Sequence, residues 1–137
     1  MAARRRARKR ALELLFEAEQ RGMNVADLLE QRIAAPTTQH PLPEYAVAIV
    51  RGVVAHWREI EEILTTWSHG WTVDRMAAVD RAALRIGVWE IVWNDEVPDM
   101  VAVSEAVALV AAMSTDDSPS FVNGLLARVS EVKATLV

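Results

Sequence analysis

The amino-acid sequence predicts an all-α protein. Alanine and leucine are abundant while glycine and proline number five each, a balance that favours helix. Apolar residues return every three to four positions along most of the chain, the period of a helix with one buried face. No stretch alternates apolar and polar residues for long enough to make a convincing strand. The 137 residues suit one domain, or two small bundles sharing a core, and 52% hydrophobic residues suffice for a sizeable interior.

The first helix is expected from about Arg4 to Gln20, with Gly22 as its stop. At roughly 100° per residue, Ala7, Ala11, Leu14, Leu15 and Ala18 fall on one face, bordered by Arg4 and Arg8. Arg5, Lys9 and Phe16 share a neighbouring stripe. Asn24 can cap a second helix carrying Val25, Leu28, Leu29 and Ile33, which ends before Pro36. Residues 36–43 read as a connecting loop. A third helix starts near Pro43 with Tyr45, Ala46, Ile49, Val50 and Val53 on its apolar side. A further helical stretch holding Trp57, Ile60, Ile63 and Leu64 either continues it or stands alone, and ends by Gly70. Thr72 is expected to cap a short turn. Residues 79–93 are apolar almost all round, which predicts burial among other helices. Gly87 in its middle costs about 1 kcal/mol in propensity and implies a close helix crossing; Gly52 and Gly124 invite the same reading. A sixth helix is expected over about 102–113. Ser118 as cap and Pro119 at the first position start the last one, whose face carries Phe121, Val122, Leu125, Leu126 and Val129.

Charge is distributed unevenly. The first ten residues hold six cations, Arg4, Arg5, Arg6, Arg8, Lys9 and Arg10, and no acid. The remainder keeps nine Lys and Arg against nineteen Asp and Glu. Such asymmetry points to a polyanionic partner, nucleic acid first. The cations also crowd the positive end of a helix, where each is unfavourable by about 0.3–1 kcal/mol. A solvated basic arm is the plainer reading and leaves that cost unexplained.

The sequence offers little chemistry. There is no cysteine, hence no disulfide, zinc-thiolate site or thiol nucleophile. His56 with Glu59 and Glu62 is the nearest approach to a metal set, and a solvated charged face describes it better. No glycine-rich phosphate loop and no Gly-x-Ser-x-Gly elbow occurs. Neither an enzyme nor a cofactor is expected. No apolar run approaches the roughly 18 residues of a membrane span, and the run after the basic segment is too short for a signal peptide. The expectation is a soluble, intracellular protein with no membrane partner. The five tryptophans could stack nucleobases, but Trp89 and Trp93 read as core, and Trp57, Trp67 and Trp71 as packing.

Several segments together resemble the NusB family (N-utilisation substance B). They are Arg4-Arg5-Arg6-Ala7-Arg8 with Ala11 and Leu15-Phe16, then Asp80-Arg81-Ala82-Ala83-Leu84-Arg85-Ile86, Glu90, Val97-Pro98 and Ser104-Glu105-Ala106, and last Asp117-Ser118 with Phe121-Val122-Asn123-Gly124-Leu125-Leu126. Residues 23–70 match mainly in pattern. The resemblance implies about seven helices in two small perpendicular bundles sharing one core, divided near residue 70. It implies a cytoplasmic transcription antitermination factor acting in ribosomal RNA synthesis. Such a factor binds the boxA element of nascent RNA jointly with NusE, a small-subunit ribosomal protein, within an RNA polymerase antitermination complex. RNA contact is implied for Arg4, Arg5, Arg6 and Arg8, and for the start of the last helix at Asp117, Ser118, Ser120 and Phe121. NusE contact is implied for Asp80 and Glu105. Lys9 and Arg10 extend the basic run beyond the family motif, and Ser120 stands where a basic residue is frequent.

The residues by themselves agree in kind. Single-stranded RNA is held by a cationic groove with aromatic stacking, which Arg5, Lys9 and Phe16 on one stripe would suit; packing is the alternative use of Phe16. Two rival functions remain. The basic arm could dock on the acidic body of a second copy, giving a homodimer, or the chain could be the RNA-recognition part of an RNA methyltransferase system.

Overall fold

The computed structural model describes residues 2–69 and 71–136. Seven α-helices account for most of them: α1 Ala2–Arg21, α2 Val25–Ala34, α3 Glu44–Ala55, α4 Trp57–Trp67, α5 Ala78–Trp93, α6 Asp99–Met113 and α7 Ser118–Val132. Single 3₁₀ turns occupy Val73–Arg75 and Lys133–Thr135, and no strand occurs among the described residues.

Local chemistry sets most boundaries. α1 stops because Gly22 turns left-handed at φ +64°. The Gly22 N–H then reaches the Glu19 carbonyl at 3.2 Å, and the Met23 N–H reaches that of Ala18 at 2.8 Å, closing the helix end. The Asn24 side chain accepts from the N–H groups of Ala26 (2.8 Å) and Asp27 (3.3 Å) and so caps α2. α3 and α4 are separate helices that break at His56, whose ring stacks on Trp93 with centroids 4.0 Å apart. α6 starts at Asp99, immediately after Pro98, three residues before the expected start. Gly70, the expected stop of the α4 segment, lies outside the described residues.

Two expected caps are not caps. The Thr72 side chain makes no capping bond at the 3₁₀ turn. Ser118 is the first residue of α7 rather than the residue before it, and its hydroxyl is drawn away by Asp80.

The buried hydrophobic residues form one cluster. α5 runs through its middle and packs on α1, α3, α4, α6 and α7. α4 lies on the N-terminal side of the division expected near residue 70, yet it packs on α5 and α7 beyond it. Each fully buried leucine, Leu84 and Leu126 among them, contributes about 1.5–3 kcal/mol. The crossings expected at two glycines are present. A Cβ on Gly87 would lie 2.6 Å from Leu126 Cδ1, and one on Gly52 would overlap the Trp89 indole. Gly124 differs: a Cβ there would make only an ordinary contact, 3.6 Å from Arg128, so no close crossing explains it.

Candidate nucleic-acid interface

The basic residues of α1 divide between two faces, because consecutive helix positions point about 100° apart. One face turns towards α5 and α6 and meets acids there. Arg8 is only 3% exposed. Its Nε lies 3.0 and 3.1 Å from the two carboxylate oxygens of Glu90, and its Nη1 lies 3.4 Å from Glu105. Glu90 is itself 1% exposed and also accepts from the Tyr45 hydroxyl. Asn94 donates to that hydroxyl oxygen at 3.1 Å. Burial, and next the bond to Glu90, push the Tyr45 hydroxyl well above its ordinary pKa. Arg5 forms a two-pronged pair with Glu105, at 2.7 and 3.1 Å. The Arg5 hydrogen bonds, helped by the charges of Arg5 and Arg8 and opposed by burial, hold the Glu105 carboxyl below the usual carboxylate range. Arg4 lies 4.6 Å over the Tyr45 ring and reaches Glu96 at 3.2 Å. Arg4, Arg5 and Arg8 therefore receive their counter-charges from acids more than eighty residues later in the sequence.

The other face carries Arg6 and Lys9, both exposed and without an ion-pair partner among the described residues. Arg10 beside them reaches only Glu13, one turn on, at 3.4 Å. Phe16 is half-buried.

The start of α7 is built on α5. Asp80, in the first turn of α5, is 6% exposed, and its two oxygens accept from the hydroxyls of Ser114 (2.7 Å) and Ser118 (2.9 Å). The Thr115 N–H donates to the Ser118 oxygen at 3.2 Å. This knot fixes the turn from α6 to α7 and leaves Ser120 exposed and Phe121 half-buried. Phe121, Trp71, Arg75 and Met76, with Asp80 and Ser118, line a cavity of about 250 Å³. α1 and α7 make little contact with each other; α5 carries both.

Three of the expected contact residues, Arg8, Asp80 and Ser118, are buried with their polar atoms engaged within the chain. Glu105 retains some exposure, but both its oxygens are held by arginines. Arg4, Arg5, Arg6, Lys9, Ser120 and Phe121 keep exposed surface. Trp71 was expected to pack and is instead 55% exposed; Trp57, 38% exposed, carries the Arg85 guanidinium 4.3 Å over its ring. Tyr45, expected only on the apolar side of α3, and Glu90, expected only among the residues of the resemblance, complete the network around Arg8. The signal was there: a glutamate inside the most apolar helix must find a cation, and the only basic run lies in α1. Among the described residues no three acids or histidines are grouped to hold a metal ion, and no described helix is long and apolar enough to cross a membrane.

The sequence pattern of the NusB family matches residues 5–131, nearly the whole chain. The chain belongs to the NusB family. A curated relative, the transcription antitermination protein NusB of Kineococcus radiotolerans, is 58% identical over 99% of this chain and 98% of that protein. Among solved structures, NusB of T. maritima superposes with a TM-score of 0.81 at 28% identity, covering 93% of this chain and 90% of the other. A second, from a crystal of the antitermination factors NusB and NusE in complex with double-stranded RNA, has a TM-score of 0.82 at 28% identity, covering 96% and 98%. The all-helical NusB architecture is therefore shared at sequence identities well below that of the Kineococcus protein.

Proposed function

We propose that this chain is a non-enzymatic transcription antitermination factor. It binds the boxA element of nascent ribosomal RNA together with NusE, in the cytoplasm, as part of an RNA polymerase antitermination complex. The observation that carries the reading is the family membership of a chain whose first helix presents cations to solvent. The solved complex of NusB and NusE with RNA supports the choice of partners. In this reading Arg4, Arg5, Arg6, Lys9, Phe16, Ser120 and Phe121 meet RNA. Arg8, Asp80 and Ser118 hold those residues in place, and Glu105 lies at the edge where NusE would sit. Charge positions the RNA but carries no sequence information, so base contacts or NusE must choose the sequence.

Fluorescence anisotropy with a labelled boxA-like RNA tests this. Wild type binds, more tightly with NusE, and the Arg4/Arg5/Arg6→Ala variant binds at least about tenfold more weakly, because several phosphate contacts go. Equal affinities would remove the role given to the arm. In the rival homodimer reading Arg6 and Lys9 would be the cations that meet a second copy, since Arg4, Arg5 and Arg8 already have acids within their own chain; light scattering with and without RNA separates the two readings. The methyltransferase reading gains no support from relatives of matching length, which carry the antitermination name.

A further inference from the structure

The outward face of α1 forms one wall of a groove of about 960 Å³, whose other wall is the end of α2 and the loop leading to α3. Arg6, Lys9, Arg10, Arg32 and His40 line it. Arg6 and Arg10 stand one helical turn apart, so the cations form a row along the groove rather than a point. Glu13 and Glu17 also line the groove, and both are already matched. Glu13 faces Arg10 at 3.4 Å; Glu17 lies 2.6 Å from both Arg21 and Arg32. The hydrogen bond from Arg21, then that from Arg32, holds the Glu17 carboxyl below the usual range. These acids orient Arg10 and Arg32 while leaving the unpartnered charges of Arg6 and Lys9 to dominate. Arg32 is the telling member. It comes from a different helix, lies far from the basic run in sequence, and points into the same space.

We infer that this groove is a second track for the phosphates of single-stranded RNA, with Arg10 and Arg32 as its ligands and Arg6 and Lys9 at its entrance. It lies on the side of α1 away from Glu90 and Glu105, and it extends the RNA footprint beyond the element read by the arm and the start of α7. The inference rests on the proposal that the chain binds RNA. A row of cations in an open groove suits a repeating phosphate backbone, and the hydroxyl of Thr37 on the opposite wall can bond a phosphate or a 2′-hydroxyl.

The test compares a short boxA-like RNA with the same RNA lengthened by roughly ten nucleotides, within the span of a single-strand binding site. Wild type gains affinity with the longer RNA, and its salt slope steepens. Arg10→Gln/Arg32→Gln keeps its affinity for the short RNA, loses the gain, and has a slope shallower by about 1.4, from roughly 0.7 per phosphate. Arg6→Gln/Lys9→Gln, which breaks no ion pair, guards against a folding artefact and also reduces the gain. Arg58→Gln, an exposed cation on α4, leaves both affinities unchanged. A 4-thiouridine in the added segment crosslinks to residues 37–43. If the gain survives in Arg10→Gln/Arg32→Gln, or wild type shows none, the groove is overturned while short-RNA binding still stands. If neither RNA binds wild type, the RNA reading itself falls. Competition by a poly-glutamate peptide as effective as that by RNA would overturn the assignment to RNA.

Discussion

The two faces of α1 are made of the same residue types and do opposite work. Arg8 and Lys9 are neighbours in sequence, yet Arg8 is buried between two glutamates and Lys9 is exposed without a partner among the described residues. The difference lies in what α5 and α6 present. Glu90 and Glu105 make the inner face an anchor, with Tyr45 completing the bonds of Glu90. The outer face meets only a groove whose acids are already matched. A count of positive charge in the run says nothing about this division.

Stability measurements can break or sharpen the comparison. Arg8→Ala leaves Glu90 charged and buried, and loss of one partner of such a pair costs about 3–5 kcal/mol; urea denaturation measures it. A loss below about 1 kcal/mol would mean that the inner face is no anchor. Gly87→Leu drives a side chain into Leu126 and costs about 1–3 kcal/mol through overpacking, read as a lowered urea midpoint with an unchanged slope. Glu105→Gln costs about 1 kcal/mol at neutral pH, because hydrogen bonds to charged arginines weaken. Glu105 has a depressed pKa in the folded chain, so its contribution is present above its unfolded value of about 4.3 and disappears as pH falls through the lower folded value. The gap between wild type and Glu105→Gln should stay flat from neutral pH to about pH 5 and close below about pH 4. Arg4→Ala removes an exposed pair and costs about 0.2–1 kcal/mol, and less at high salt. Arg6→Ala and Lys9→Ala should lie within about 0.5 kcal/mol of wild type, while lowering RNA affinity.

The helices were legible in the sequence because period, caps and stops are local. Gly22 and Asn24 act as their residue types suggest, and the crossings at Gly52 and Gly87 follow from the cost of glycine inside a helix. What escaped was the pairing of α1 with acids more than eighty residues away. Amphipathic spacing places Arg8 at the border of the buried face; it does not say that Glu90 waits there. Ser118 was misread for a similar reason. Its local pattern is that of a cap, and a carboxylate from α5, 38 residues earlier, outcompetes the helix end. Trp71 was read from the usual fate of large aromatics, and the rule fails where a side chain borders an open cavity.

The long reach of the Arg8 pair has a consequence in time. Glu90 follows Arg8 by 82 residues and Glu105 follows it by 97. At about 5–20 residues per second, ribosomes make the basic segment roughly 4–20 seconds before its counter-charges exist. During that interval the arm travels with its arginines bare, beside a ribosome made largely of RNA. Completion of α5 and α6 buries Arg8, pairs Arg4 and Arg5 with acids at the surface, and leaves Arg6 and Lys9 exposed. Synthesis itself thus sorts one arginine run into a part that folds and a part that stays available.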